Sequence, residues 1–171
     1  HGVAGKAAKS DASDAAPEDL KLVDGVVAAY ERLGRPDDAL AFLKARMTGA
    51  RQAQIGSRYA LLSERAGYID QALKTWQTLH ESNRGNVEYA LHSANLLYRM
   101  SNLPAALRSL EAVQPYATDR DVLYWRTYGQ LARLLQNDAD STLAYRHLLA
   151  GGEETSEDLA AMTFFYERQP L

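Results

Sequence analysis

The sequence predicts an all-α chain built as an array of antiparallel helix pairs, and three observations predict it. A twelve-residue phrase is written four times: RLGRPDDALAFL from Arg32, RAGYIDQALKTW from Arg65, RMSNLPAALRSL from Arg99 and, more loosely, LLQNDADSTLAY from Leu134. Its eighth positions, Ala39, Ala72, Ala106 and Ser141, are 33, 34 and 35 residues apart, a period that marks a repeat array. Each phrase also has the chemistry of a helix–turn–helix. Gly34 and Gly67 suit the left-handed backbone that ends one helix, and Asp37 and Asp70 are placed to accept hydrogen bonds from the first free amides of the next.

Taken in order, residues 1–16 carry Ala, Ser, Lys and Asp without an apolar period and read as a linker or an expression scar beginning His1-Gly2. Pro17 opens the first helix, where its missing amide does no harm. That helix is expected to run to about Leu33 and to bury Val23, Val26, Val27 and Tyr30; its partner covers about Asp37 to Thr48 and ends at Gly49. The second pair spans about Gln52–Ala66 and Asp70–Ser82, with Tyr59, Leu62, Leu73, Trp76 and Leu79 in the core and Gly85 as a C-terminal cap. The third spans about Val87–Met100 and Pro104–Val113, stopping at Pro115. The fourth spans about Asp121–Leu135 and Asp140–Ala150, stopped by Gly151-Gly152. A ninth helix starts at Ser156. Its Met162, Phe164, Phe165 and Tyr166 make it a poor polar cap, so the chain reads as a segment of a longer array.

The small residues at Ala39, Ala72, Ala106 and Ser141 are expected where two helices cross closely. With Trp125, Tyr128, Gly129 and Ala132, and the pairs Ala39/Leu43, Ala72/Trp76, Ala106/Leu110 and Ser141/Tyr145, the pattern resembles the tetratricopeptide repeat family over roughly Leu20 to Gln169. The family's opening Trp is replaced by Val23, Gly56 and Ala90, and its closing Pro by Arg51, Arg84 and Thr118. The resemblance implies a right-handed solenoid of four helix pairs plus one helix, with repeats at about 20–52, 53–86, 87–121, 122–156 and a partial repeat at 157–171. It also implies a non-catalytic binding scaffold with a preformed groove.

Composition limits the alternatives. A net charge of −3 argues against broad nucleic-acid binding, and no apolar run approaches the ~18 residues of a membrane helix. The absence of cysteine removes disulfide and thiolate chemistry. His80, His92 and His147 fall in different repeats without metal-ligand spacing and read as surface or helix-end residues. Asn137-Asp138-Ala139-Asp140 reads as a helix-capping turn rather than a calcium loop, and Glu153-Glu154 as a solvated loop. No phosphate loop or nucleophile elbow is present, so no catalytic, cofactor-binding or metal-ligating residue is nominated and no cofactor is expected.

The candidate binding residues are arginines. Arg32, Arg65 and Arg99 end successive first helices, with Arg133 one residue off register and Arg168 continuing the row. Each suits its helix dipole, and Glu31, Glu64 and Glu167 are nearby partners; a row of them also suits a partner's carboxylates or an acidic helix. By the family's register the groove would carry Lys21, Asp24, Ala28, Gln54, Ser57, Leu61, Glu88, Leu91, Asn95, Leu123, Arg126 and Gln130, with Tyr98 facing it; Asp24 and Ala28 oppose a terminal-carboxylate clamp. The other aromatic residues, Tyr30, Tyr59, Trp76, Trp125, Tyr128 and Tyr145, are expected in the core rather than against sugars. The partner-contact set is Arg32, Arg65, Arg99, Arg133, Tyr98, Asn95 and Arg126.

The stretch YWRTYGQLARLLQNDADSTLAYRHLL, residues 124–149, is similar to the periplasmic repeat regions of bacterial exopolysaccharide-export proteins of the Pel type. That resemblance implies a periplasmic location, an outer-membrane β-barrel elsewhere in the full protein, and a polysaccharide-modifying enzyme as partner. A cytoplasmic assembly or regulatory scaffold, and direct binding of a charged polysaccharide, stand as alternatives.

Overall fold

A computed structural model of the chain describes residues 17–152 and 154–168. The described residues are all-α, with no strand among them: α1 Pro17–Arg32, α2 Pro36–Lys44, α3 Gln52–Arg65, α4 Ile69–Ser82, α5 Val87–Arg99, α6 Leu103–Glu111, α7 Val122–Leu134, α8 Asp138–Gly151 and α9 Ser156–Arg168. The linker expected over 1–16, Glu153 and the side chains of Phe164, Phe165, Tyr166, Glu167 and Arg168 lie outside the described residues. Two compact units divide between Tyr68 and Ile69.

The first unit holds α1, α2 and α3, with α2 packed against both others. Its core is Val23, Val27, Ala39, Leu40, Leu43, Ile55, Tyr59 and Leu62, with Tyr30 half-buried at its edge beside Phe42. Val26 and Tyr30 are thus less enclosed than expected. The turn after α1 is a left-handed cap: Gly34 has φ 66°, and Arg35 N–H returns to the Tyr30 carbonyl. Asp37 is not the cap of α2. It lies in the first turn, where its charge suits the helix dipole, and its carboxylate accepts the Tyr68 hydroxyl at 2.7 Å. Likewise α2 ends at Lys44, short of Thr48, because its hydrogen bonds tighten from Arg46 N–H to Leu43 and Met47 N–H to Lys44. Gly49 opens a 3₁₀ turn to Arg51 instead of ending the helix.

The second unit holds α4 to α9, with successive helices in contact from α4 through α9. Its core is the larger, with Trp125, Tyr124, Tyr128, Leu110, Leu131, Leu148 and Val113 almost wholly enclosed. Asp70, like Asp37, sits in a first turn; the side-chain caps here are Asn86, Asn102 and Asn137, which accept from Tyr89, Ala105 and Asp140 N–H. The Asn137 cap is the expected capping turn. Gly152 ends α8 at φ 69°. Gly85 does something else: a Cβ there would stand 3.3 Å from the Tyr116 ring, so the glycine makes room for that side chain. Pro115 falls inside a 3₁₀ turn, Gln114–Tyr116, that starts three residues beyond the end of α6.

Across the four phrases, Ala39, Ala72, Ala106 and Ser141 are each fully buried, as a close helix crossing requires. The left-handed turn residue also repeats where glycine does not. Ser101 (φ 61°) and Gln136 (φ 58°) occupy the third phrase position held by Gly34 and Gly67.

Candidate functional site: charged clefts between first helices

In the first unit, α1 and α3 enclose a cleft of about 440 Å³ lined by Asp24, Val27, Glu31, Ser57, Arg58, Leu61 and Arg65. Asp24 and Glu31 are seven residues apart on α1, and Arg58 and Arg65 are seven apart on α3, so two turns bring each acid level with a base. Arg58 Nε and Nη2 hold the two Asp24 oxygens at 2.5 and 2.9 Å. Arg65 Nε and Nη2 reach Glu31 Oε1 at 3.1 and 2.9 Å. The hydrogen bond from Arg58 holds the Asp24 carboxyl below its ordinary range. Arg65 therefore meets an internal carboxylate, while Arg32 is exposed at the end of α1 outside this cleft.

The second unit has a comparable cleft, about 490 Å³, walled by Arg126, Gln130 and Arg133 of α7, Tyr145 of α8, and Thr155, Glu157, Asp158, Ala160 and Ala161 at the start of α9. Positions 126, 130 and 133 fall on one face because helical neighbours recur every three to four residues. Thr155 and Asp158 form a reciprocal cap at the start of α9. Asp158 Oδ2 accepts from Thr155 N–H at 2.9 Å and Oγ1 at 2.8 Å, while Asp158 N–H returns to Thr155 Oγ1 at 3.2 Å.

The same carboxylate takes Arg126 Nη2 at 3.2 Å, and its residue is only 6% exposed. Burial alone would raise the Asp158 pKa, but the Thr155 and Arg126 hydrogen bonds outweigh it and hold it below the ordinary value. Burial raises the Tyr145 phenol; Arg133 opposes that shift, and Asp158 and Glu157 add to it. All four residues line this one cleft.

Of the residues nominated from sequence, the cleft brings together Arg126 and Arg133. Asn95, Tyr98 and Arg99 are individually exposed on α5 and do not line it. The sequence reading overlooked Arg58, Thr155, Glu157 and Asp158. Arg58 stands 34 residues after Asp24, one repeat on, and Thr155 with Asp158 has capping-box spacing; those were the available signals.

The aromatic core is chiefly packing: Trp76, Trp125, Tyr124 and Tyr128 are at most 2% exposed, and burial drives the phenols of Tyr124 and Tyr128 well above their ordinary pKa. Two histidines expected at surfaces stack instead on tryptophan faces, His92 on Trp76 at 4.2 Å and His147 on Trp125 at 3.8 Å. His147 Nδ1 also meets Asp119 at 2.6 Å. Among the described residues no three His, Asp or Glu side chains converge as a metal set, and no helix is long and apolar enough to cross a membrane.

Comparison with known proteins gives the same architecture. A family model described as tetratricopeptide repeat matches residues 78–170. No curated protein matches the sequence significantly. Among solved structures, a tetratricopeptide repeat protein from Parabacteroides merdae superposes with a TM-score of 0.73 at 14% identity, covering 88% of this chain; the chain spans 60% of that protein. MamA from Desulfovibrio magneticus gives a TM-score of 0.66 at 16% identity over 86% of this chain and 84% of its own. The first repeat domain of Spaghetti (RPAP3), bound to the HSP90 peptide SRMEEVD, gives 0.59 at 12% identity over 70% of this chain and 94% of its own.

Proposed function

Because the chain belongs to the tetratricopeptide repeat family, we propose that it is a non-catalytic protein–protein interaction scaffold whose α7–α9 cleft receives a segment of a partner protein. The observation that carries this reading is the cleft itself: Arg126, Gln130 and Arg133 along one helix face, opposite polar and small side chains of α9. Its walls are helices packed on a common core, so a bound segment meets a preformed surface and association avoids much of the ordering cost of a mobile one. A solved neighbour of the same fold, the RPAP3 domain, holds a peptide. Panning a random peptide library on the 171-residue chain, then mapping the selected peptides by amide chemical shifts, tests the reading. Peptides that perturb α7 and α9 together support it; a pool that perturbs neither helix overturns it.

The finer assignment, a periplasmic scaffold of an exopolysaccharide-export protein that recruits a polymer-modifying enzyme, rests on the likeness of residues 124–149, the α7–α8 hairpin that supplies two walls of the cleft. It is tested by the gene's neighbourhood and by whether deleting the gene stops polymer secretion. Secretion intact in the deletion strain would return the cytoplasmic scaffold to first place. Direct polysaccharide binding finds exposed aromatic surface at Tyr98, which is 43% exposed, and is tested by titrating charged and neutral oligosaccharides. Arg32, Arg65, Arg99, Asn95 and Tyr98 remain proposed contacts outside the α7–α9 cleft.

A further inference from the structure

We infer that the α7–α9 cleft selects a partner segment presenting an acid and a base side by side, rather than an acidic segment. This rests on the binding reading above and names the chemistry of its partner. Among the described residues, four charged side chains line the cleft, Arg126 and Arg133 against Glu157 and Asp158, and their formal charges cancel. Two of them are already matched to each other: the Asp158 carboxylate is buried, holds the Thr155 cap and accepts from Arg126. Among the described residues, the lining charges that remain are one cation, Arg133, and one anion, Glu157, both exposed. They line the same cleft as Tyr145 and act on its hydroxyl with opposite sign.

A purely acidic segment entering this space gains attraction from Arg133 and meets repulsion from Glu157. With both charges in one cleft and at a comparable effective dielectric, the two effects are of the same order and largely offset. A purely basic segment meets the reverse. A segment carrying both charges satisfies each, and Glu157 becomes the repulsive element that rejects polyacids. Gln130, able to donate and accept, lies between the two arginines in sequence and on their face, and suits a neutral peptide group. Ala160 and Ala161 keep the α9 wall small enough to admit side chains.

The test is to repeat the peptide panning on the wild-type chain, on Glu157→Gln, on Arg133→Gln and on the charge swap Arg133→Glu/Glu157→Arg, with helical content checked by circular dichroism. The wild type should select peptides with an acid and a base within a few residues of each other. Glu157→Gln should shift the pool toward acids, Arg133→Gln toward bases, and the swap should restore mixed-charge selection. A representative mixed-charge peptide should lose about tenfold in affinity to each single variant. Peptides that map to the cleft but carry acids alone, unchanged by Glu157→Gln, overturn this inference and leave the scaffold reading standing. Peptides that bind wholly outside the cleft overturn the scaffold reading at this site, and the inference with it.

Discussion

Arg58 spans both carboxylate oxygens of Asp24, one repeat earlier in the sequence, and so ties α3 to α1 through a two-pronged ion pair. The pair is half-exposed, so its contribution is modest, about 0.5–1 kcal/mol. Asp24 has a folded pKa below its unfolded value, so this stability is present above about pH 4 and disappears as pH falls through the folded value. The expected outcome is that Asp24→Asn lowers the urea midpoint at pH 7 and has no effect once the wild-type carboxyl is protonated. Equal effects at pH 7 and pH 2 would show that the charge contributes nothing.

The buried carboxylate of α9 should show a larger dependence. Asp158 is ionised, capped and paired, and its folded pKa also lies below the ordinary carboxylate value. Its contribution is again present above about pH 4 and lost on acidification. Asp158→Ala should cost about 1–2 kcal/mol through the lost carboxylate half of the reciprocal cap and the lost Arg126 pair, with amide exchange accelerating first in α9. Asp158→Asn should recover part of that loss, because an amide oxygen still accepts from Thr155.

Ser101 and Gln136 adopt a left-handed backbone that glycine adopts in the other two turns. A side chain in that region costs about 1–2 kcal/mol, part of which glycine gives back by loosening the unfolded chain. Ser101→Gly and Gln136→Gly should each raise stability by about 0.5–1 kcal/mol, and Gly34→Ala and Gly67→Ala should lower it, read from denaturation midpoints.

At the helix crossings the sign depends on polarity as well as size. Ser141 is fully buried, and its Oγ has no hydrogen-bond partner among the described residues. Ser141→Ala should therefore stabilise by about 1 kcal/mol. Ala106→Leu, at the equivalent place in the preceding repeat, should destabilise by about 1–3 kcal/mol or more through overpacking.

The helices and their spacing were legible because each depends on local signals: glycine and asparagine at turns, a small residue at every crossing, and apolar positions at helical spacing. Boundaries failed where a helix tapers through tighter hydrogen bonds, as after Lys44, which no residue type announces. The same limit explains Ser101 and Gln136, whose backbone geometry is imposed by the repeat on residues that do not prefer it. For the site, the arginines were visible, but their partners were not. Whether Arg126 faces a ligand or an internal acid depends on Asp158, 32 residues away and brought there by the packing of α9.

Both tryptophans of the chain, Trp76 and Trp125, belong to the second unit, and each is almost wholly shielded and covered by an imidazole ring. Indole emission is consequently a built-in optical marker for one half of the molecule. Melting of residues 69–171 will redden the signal; with Trp76→Phe in place, Trp125, enclosed by Tyr124, Tyr128 and His147 of the same unit, is the remaining reporter, and its colour follows that unit while ellipticity follows every helix. A comparison of the two spectroscopic traces thus reveals which half gives way first, without any label being attached.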